Sequence, residues 1–155
     1  MQKVTPFLWF DHQAEEAAQF YTSVFKNSKL GKTMRYDAAA AKASGMPEGS
    51  VLTIEFELEG LPFTALNGGP HLKFSGAVSF VITCDSQDEI DYYWEKLSEG
   101  GEAGQCGWIN RDKFGLTWQV VPKDLPKLIS NPKGMQAMLG MTKFDIAALQ
   151  AAASE

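Results

Sequence analysis

Apolar and polar positions follow one scheme twice along the chain. Val4 to Phe10 and Ala77 to Cys84 are short runs rich in aromatic and β-branched residues, bounded by turn residues, and they predict strands. Each leads into an amphipathic helix. Ala14, Ala17, Ala18, Tyr21, Val24 and Phe25 fall at i, i+3, i+4 spacing, and so do Ile90, Tyr93, Trp94 and Leu97. Ser86, with Glu89 three residues on, forms a capping box ahead of the second helix, and Gly100 and Gly101 stop it. Without gaps, Phe7 maps onto Phe80, Glu16 onto Glu89, Phe20 onto Tyr93 and Val24 onto Leu97 at one constant offset. A constant offset through a strand and a helix points to a duplicated module.

Three strands are expected after each helix. In the first half they fall at about Lys29–Tyr36, Ser50–Glu59 and Leu61–Asn67. Ile54, Phe56 and Leu58 alternate with Glu55, Glu57 and Glu59, so the middle strand has one wet face. In the second half they fall at about Glu102–Trp108, Ile109–Asp112 and Leu116–Val121, with a turn at Asp112 to Gly115 before the last. Asp37–Gly49, Ala-rich and then Gly-Met-Pro-Glu-Gly, reads as a loop or a short helix. The tail is different. Asn131-Pro132 starts a helix, and Thr142 with Asp145 reads as a capping box before Ile146, Leu149 and Ala152. Met135, Met138, Leu139 and Met141 make a soft apolar patch suited to core packing or a dimer contact.

Composition narrows the classes. With 155 residues, 45% hydrophobic and 21% charged, the chain can bury its own core as one domain or two small packed modules. The net charge is −5, and Arg35 and Arg111 are the two arginines among scattered lysines, so no basic stripe is present and nucleic acid is not an expected partner. No apolar run approaches the roughly 18 residues of a membrane span, no leader pattern precedes the first strand, and the expectation is a cytoplasmic protein without membrane association. Cys84 and Cys106 form no metal-type spacing and read as free, mostly buried thiols. His12, at a helix start, and His71, after Gly-Gly-Pro, read as surface histidines.

Several motifs carry a resemblance. They are Thr5-Pro-Phe-Leu-Trp-Phe, Glu15-Glu-Ala-x-x-Phe-Tyr, Thr64-Ala-Leu-Asn-Gly-Gly-Pro70, the stretch from Cys106-Gly-Trp to Trp-Gln-Val-Val-Pro122, and Ala137-Met-Leu-Gly-Met-Thr-Lys-Phe-Asp-Ile-Ala-Ala-Leu149. Together they resemble the vicinal-oxygen-chelate superfamily of glyoxalases, bleomycin-resistance proteins and dioxygenases. Within it they resemble the PhnB-like branch, also labelled 3-demethylubiquinone-9 3-methyltransferase-like. The resemblance implies an α+β fold of two βαβββ modules forming a glyoxalase-like cup, with a short helical C-terminal tail. It places module one at 1–70, module two at 76–122 and the tail at 123–155. It also implies metal-ligand slots at Pro6, Thr64, Ser79 and Gln119. Proline has no donor atom, Thr and Ser hydroxyls are weak ligands, and one Gln cannot hold a transition metal alone, so no metal and no cofactor is expected. The methyl-transfer label asks for a Gly-rich turn between a strand and a helix. The Gly-rich stretch Gly100–Gly107 runs from a helix into a strand instead.

What remains is a pocket. On the implied fold, strand parity puts Leu8, Phe10, Thr64, Leu66, Ser79, Val81, Gln119 and Val121 on the cup side. It puts Phe7, Trp9, Phe63, Phe80, Ile82, Trp118 and Val120 under the helices. Tyr36 and Trp108 are candidate rim or wall residues. The candidate ligand contacts are therefore Leu8, Phe10, Tyr36, Thr64, Ser79, Trp108 and Gln119, with Gln119 and Trp108 foremost. An apolar cup with a few polar groups suits a small apolar or aromatic molecule. Two other readings stay open. One is an enzyme on a small organic substrate, with Tyr36, Asp112 or His12 as acid or base. The other is a structural or partner-binding protein. A homodimer is expected in each case.

Overall fold

A computed structural model describes residues 2–155. Its contacts divide the chain into a first unit running to Lys73 and a second from Phe74 to Glu155. The first unit contains β1 (Phe7–Phe10), α1 (Ala14–Val24), β2 (Lys29–Arg35), α2 (Ala38–Ser44), β3 (Val51–Leu58) and β4 (Leu61–Asn67). The second contains β5 (Phe80–Cys84), α3 (Gln87–Ser98), β6 (Glu102–Ala103), β7 (Trp108–Arg111), β8 (Trp118–Pro122), α4 (Leu125–Leu128), α5 (Pro132–Leu139) and α6 (Ile146–Ala153). The sheets run β1-β4-β3-β2 and β5-β8-β7-β6, so the expected α+β module is present twice with one topology. In each, the first strand pairs in parallel with the last and the other pairs are antiparallel.

In the first unit α1 lies on one face of its sheet. Ala17, Ala18 and Ala65 are fully buried, and their small side chains leave room for Tyr21, Phe56 and Phe63. The Phe56 ring stacks at 5.1 Å on Phe63 and at 6.2 Å on Tyr21. Each such ring contributes roughly 1.5–3 kcal/mol through burial. Gln13 gives α1 no side-chain cap. Asn67, at the end of β4, does so from across the sheet: its Oδ1 accepts from Ala14 N at 2.8 Å, and its Nδ2 donates to Val51 O at 3.2 Å. Such a cap is worth about 1 kcal/mol. Gly68 follows because the Trp9 ring lies where a Cβ would be, 2.4 Å away, and Trp9 Nε1 donates to Gly69 O. The Asn-Gly-Gly sequence is thus a cap followed by an indole seat. The break at Asp37–Gly49 contains the short helix α2, capped by Asp37 through Ala40 N and ended by Gly45 at φ +78°.

In the second unit α3 buries Ile90, Tyr93 and Leu97. Beneath it the sheet buries Ile82, Cys84, Ile109, Trp118 and Val120. The capping box forms: Glu89 N donates to Ser86 Oγ, and Glu89 Oε1 accepts from Asp85 N. Burial, with Glu89 and Asp85 nearby, pushes the Cys84 thiol up to about 12, so it stays protonated and is a poor nucleophile at neutral pH.

The tail packs onto this unit. Phe144 and Leu149 are buried. Gln87 on α3 holds the chain on both sides, donating to Phe144 O at 2.9 Å and accepting from Ile146 N at 2.8 Å. Lys143 bonds Asp91 at 2.7 Å and holds that carboxyl below its usual range, aided by Gln87. The cap of α6 is Asp145 itself, bonded to Ala148 N, not Thr142 as the spacing suggested. Thr142 instead offers its carbonyl to Gly107 N. Asn131 caps α5 as expected, through Gly134 N. Among the described residues no helix is long and apolar enough to cross a membrane.

One expectation about side-chain direction fails. Phe7 pairs with Thr64, Leu8 with Ala65 and Phe10 with Asn67, and paired residues share a face. Leu8 and Phe10 therefore lie under α1, only 7% and 3% exposed, while Phe7 is 60% exposed on the opposite face. The reason is one residue. Three residues, Asp11 to Gln13, join β1 to α1, but two, Asp85 and Ser86, join β5 to α3. The ungapped repeat aligns the helices and slips the strands by one place, which reverses every side chain of β1.

Candidate functional site

Each sheet has a face its helix does not cover, and the two faces differ in chemistry. In the first unit a groove of about 260 Å³ is lined by Thr5, Lys29, Gly31, Glu55, Glu57 and Thr64, with Phe56, Pro62 and Phe63. Lys29 pairs with Glu57 at 3.8 Å across β2 and β3. Gly31 opens the slot, since a Cβ there would meet Glu55 at 3.1 Å. Charged side chains and the apolar Phe56, Pro62 and Phe63 line this slot together, and it takes in one candidate contact, Thr64.

The second unit presents one aromatic side chain, Trp108, on its uncovered face. Val81 pairs with Gln119, and Gln119 with Trp108, so the three form a row across β5, β8 and β7 on the face away from α3. Val81 is 56% exposed, and Trp108 and Gln119 are half-buried. Gln119 Nε2 donates to Ser79 Oγ at 3.0 Å, which ties the amide to the start of β5. Val121 lies on the same face, paired with Thr83. Ser79 and Gln119 thus meet as strand parity expected, and Trp108, expected to end a strand from Glu102 and to sit on the rim, instead opens β7 and joins their row.

Local chemistry sets this row. Cys106 and Gly107 both take positive φ, 56° and 79°, and turn the chain into β7 so that Trp108 is its first residue. A side chain at Gly107 would strike the Phe144 ring at 2.4 Å and Val120 O at 2.7 Å. Asp112, 3% exposed, fixes the other end. Its Oδ1 accepts from Phe114 N and Leu116 N, and its Oδ2 accepts from Trp118 Nε1 at 2.8 Å. Trp118 is pinned beneath α3, and Gln119 must face the other way. Asp112, weighed in the sequence as an acid or base, holds the turn instead. At the sheet edge, Arg111 bonds Glu102 and, with Asn110, holds its carboxyl below the usual range.

The remaining candidates lie elsewhere. Leu8 and Phe10 belong to the first unit's core. Tyr36 is no rim residue: it is 5% exposed, and its hydroxyl donates to Asn67 O at 2.6 Å, bracing the residue that caps α1. Phe7 and Trp9 hold the places assigned to Leu8 and Phe10, and the shorter link at Asp85-Ser86 was the sequence signal for it. His12 is exposed beside Asp11.

Metal and methyl-donor chemistry can both be tested against these side chains. Pro6 offers no side-chain donor, and Ser79 and Gln119 bond each other. Among the described residues no three His, Cys, Asp or Glu side chains cluster to hold a metal ion. A nucleotide-type methyl donor needs a glycine turn at a strand-to-helix link. Here those links are Asp11-His12-Gln13 and Asp85-Ser86. Side chains already occupy the first-turn N–H groups of Ala14 and Glu89. Neither group fits.

Residues 2–121 match the family model described as 3-demethylubiquinone-9 3-methyltransferase. A PhnB protein from Bacillus cereus is 33% identical, with TM-score 0.69 over 78% of this chain and 99% of that one. A protein from Pseudomonas aeruginosa is 18% identical and shares the fold, with TM-score 0.60 over 79% of this chain and 98% of that one. No curated protein matches the chain.

Proposed function

The chain belongs to the PhnB-like, 3-demethylubiquinone-9 3-methyltransferase family, and from that premise we propose that it binds a small apolar or aromatic molecule without a metal and does not transfer methyl groups. The observation that carries this is the row Val81–Gln119–Trp108 on the open face of the second sheet. An indole presents a broad apolar surface at low entropic cost, and Val81 and Val121 extend it. A polar pair beside it, Gln119 and Ser79, can orient what settles there. The superfamily resemblance supports the same reading, since its sites take residues from the first and last strand of each module, here β5 and β8.

Quenching of tryptophan fluorescence by 2-naphthol tests it. Saturable quenching should be lost in Trp108→Ala and kept in Thr64→Ala. Elemental analysis of untagged protein should find no stoichiometric metal. Quenching that survives in Trp108→Ala, or one tightly held metal per chain released by Gln119→Ala, would sink the reading.

A homodimer belongs to the same proposal. Leu139 is 62% and Met135 37% exposed on α5, an apolar surface suited to a second copy. Sedimentation at micromolar concentration should give twice the 17.0 kDa chain mass, falling toward one chain in a Met135→Lys, Leu139→Lys variant. A wild-type monomer contradicts it.

A further inference from the structure

We infer that the ligand of this face is a neutral aromatic carrying a hydrogen-bond donor and acceptor side by side, as in a lactam or a ring carboxamide. This rests on the ligand-binding reading above. The Gln119 Nε2 to Ser79 Oγ bond uses one amide hydrogen and one hydroxyl lone pair. Gln119 Oε1 then remains an acceptor and the Ser79 hydroxyl proton a donor on the same bonded pair. A cis-amide edge presents the matching pair, N–H toward Oε1 and C=O toward the hydroxyl. Exchange of the amide oxygen and nitrogen would still leave one acceptor and one donor. The row itself is uncharged: Val81, Gln119 and Trp108, with Ser79, Thr83 and Val121 around it. On the flanking strand and loop, Arg111 pairs with Glu102 and Lys123 with Asp85. The row therefore offers a carboxylate or ammonium group no opposite charge to pair with. A purely apolar ring would forgo both hydrogen bonds, and a site built for hydrogen bonds discriminates against the analogue that lacks them.

Four bicyclic probes separate these cases: 2-quinolone, naphthalene, 2-naphthoate and 2-naphthylmethylamine, titrated at neutral pH against the full chain. The 2-quinolone should bind about tenfold or more tighter than each of the others. Gln119→Leu should erase that margin, bringing 2-quinolone to the affinity of naphthalene, since the amide hydrogen bonds are removed. Far-ultraviolet circular dichroism confirms that the variant is folded, and Ser79→Ala gives a second, smaller deletion of the same margin. A charged probe binding tightest, or a 2-quinolone margin that survives Gln119→Leu and Ser79→Ala, overturns the inference while leaving the binding face intact. Absence of binding by all four probes, or binding indifferent to Trp108→Ala, overturns the binding face itself.

Discussion

Trp118→Ala is expected to lower the unfolding free energy by about 3–5 kcal/mol, against a typical total of about 5–15 kcal/mol. The indole is 3% exposed beneath α3, its ring centroid 5.5 Å from that of Phe80. Its truncation opens a cavity and also strips Asp112 Oδ2 of a donor in a buried setting. Gln119→Ala, one residue on, should cost under about 1 kcal/mol, because water can replace a half-exposed hydrogen bond. Thermal and urea melts of the two variants decide it. A large loss in Gln119→Ala with little in Trp118→Ala would mean the faces of β8 are reversed.

Gly107→Ala should cost about 3 kcal/mol and loosen the tail. The new Cβ would lie 2.4 Å from the Phe144 ring, and alanine at φ +79° adds strain of its own. Phe144 must move, and with it the strap in which Cys106 N and Gly107 N bond the carbonyls of Met141 and Thr142. Limited proteolysis should then cut within residues 140–155 well below the melting temperature. A variant whose melt and proteolysis match the parent would show that the tail is not seated on Gly107.

What the sequence disclosed follows the range of the forces that encode it. The Ser86–Glu89 box, the Asp37–Gly49 break and the Asp112–Gly115 turn are local, and each is present where its residues stand. The direction of β8 was legible because that turn lies only a few residues ahead of it, so Gln119 and Trp118 fell on the faces expected. The direction of β1 was not, because period-two alternation carries no memory of a one-residue insertion. Leu8 and Phe10 are as apolar as Phe7 and Trp9, so composition could not correct the slip. Tyr36 and Asn67 were illegible for another reason. The bond between them joins positions 31 residues apart, and nothing local to either marks the partner. Thr142 was misassigned as a cap because Asp145, three residues on, competes for the same role and lies directly before the helix.

The central claim, that the open face of the second sheet receives a small aromatic molecule, is tested most directly by the indole N–H resonances. Nitrogen-15 spectra of the full chain, with Trp108→Phe to assign its signal, would be followed during titration with 2-quinolone. The Trp108 signal should move in a saturable way. The signals of Trp118, bonded to Asp112, and Trp9, bonded to Gly69 O, should stay in place. A Trp108 signal that stays fixed while Trp9 shifts, or no shift in any indole at saturating 2-quinolone, would contradict it.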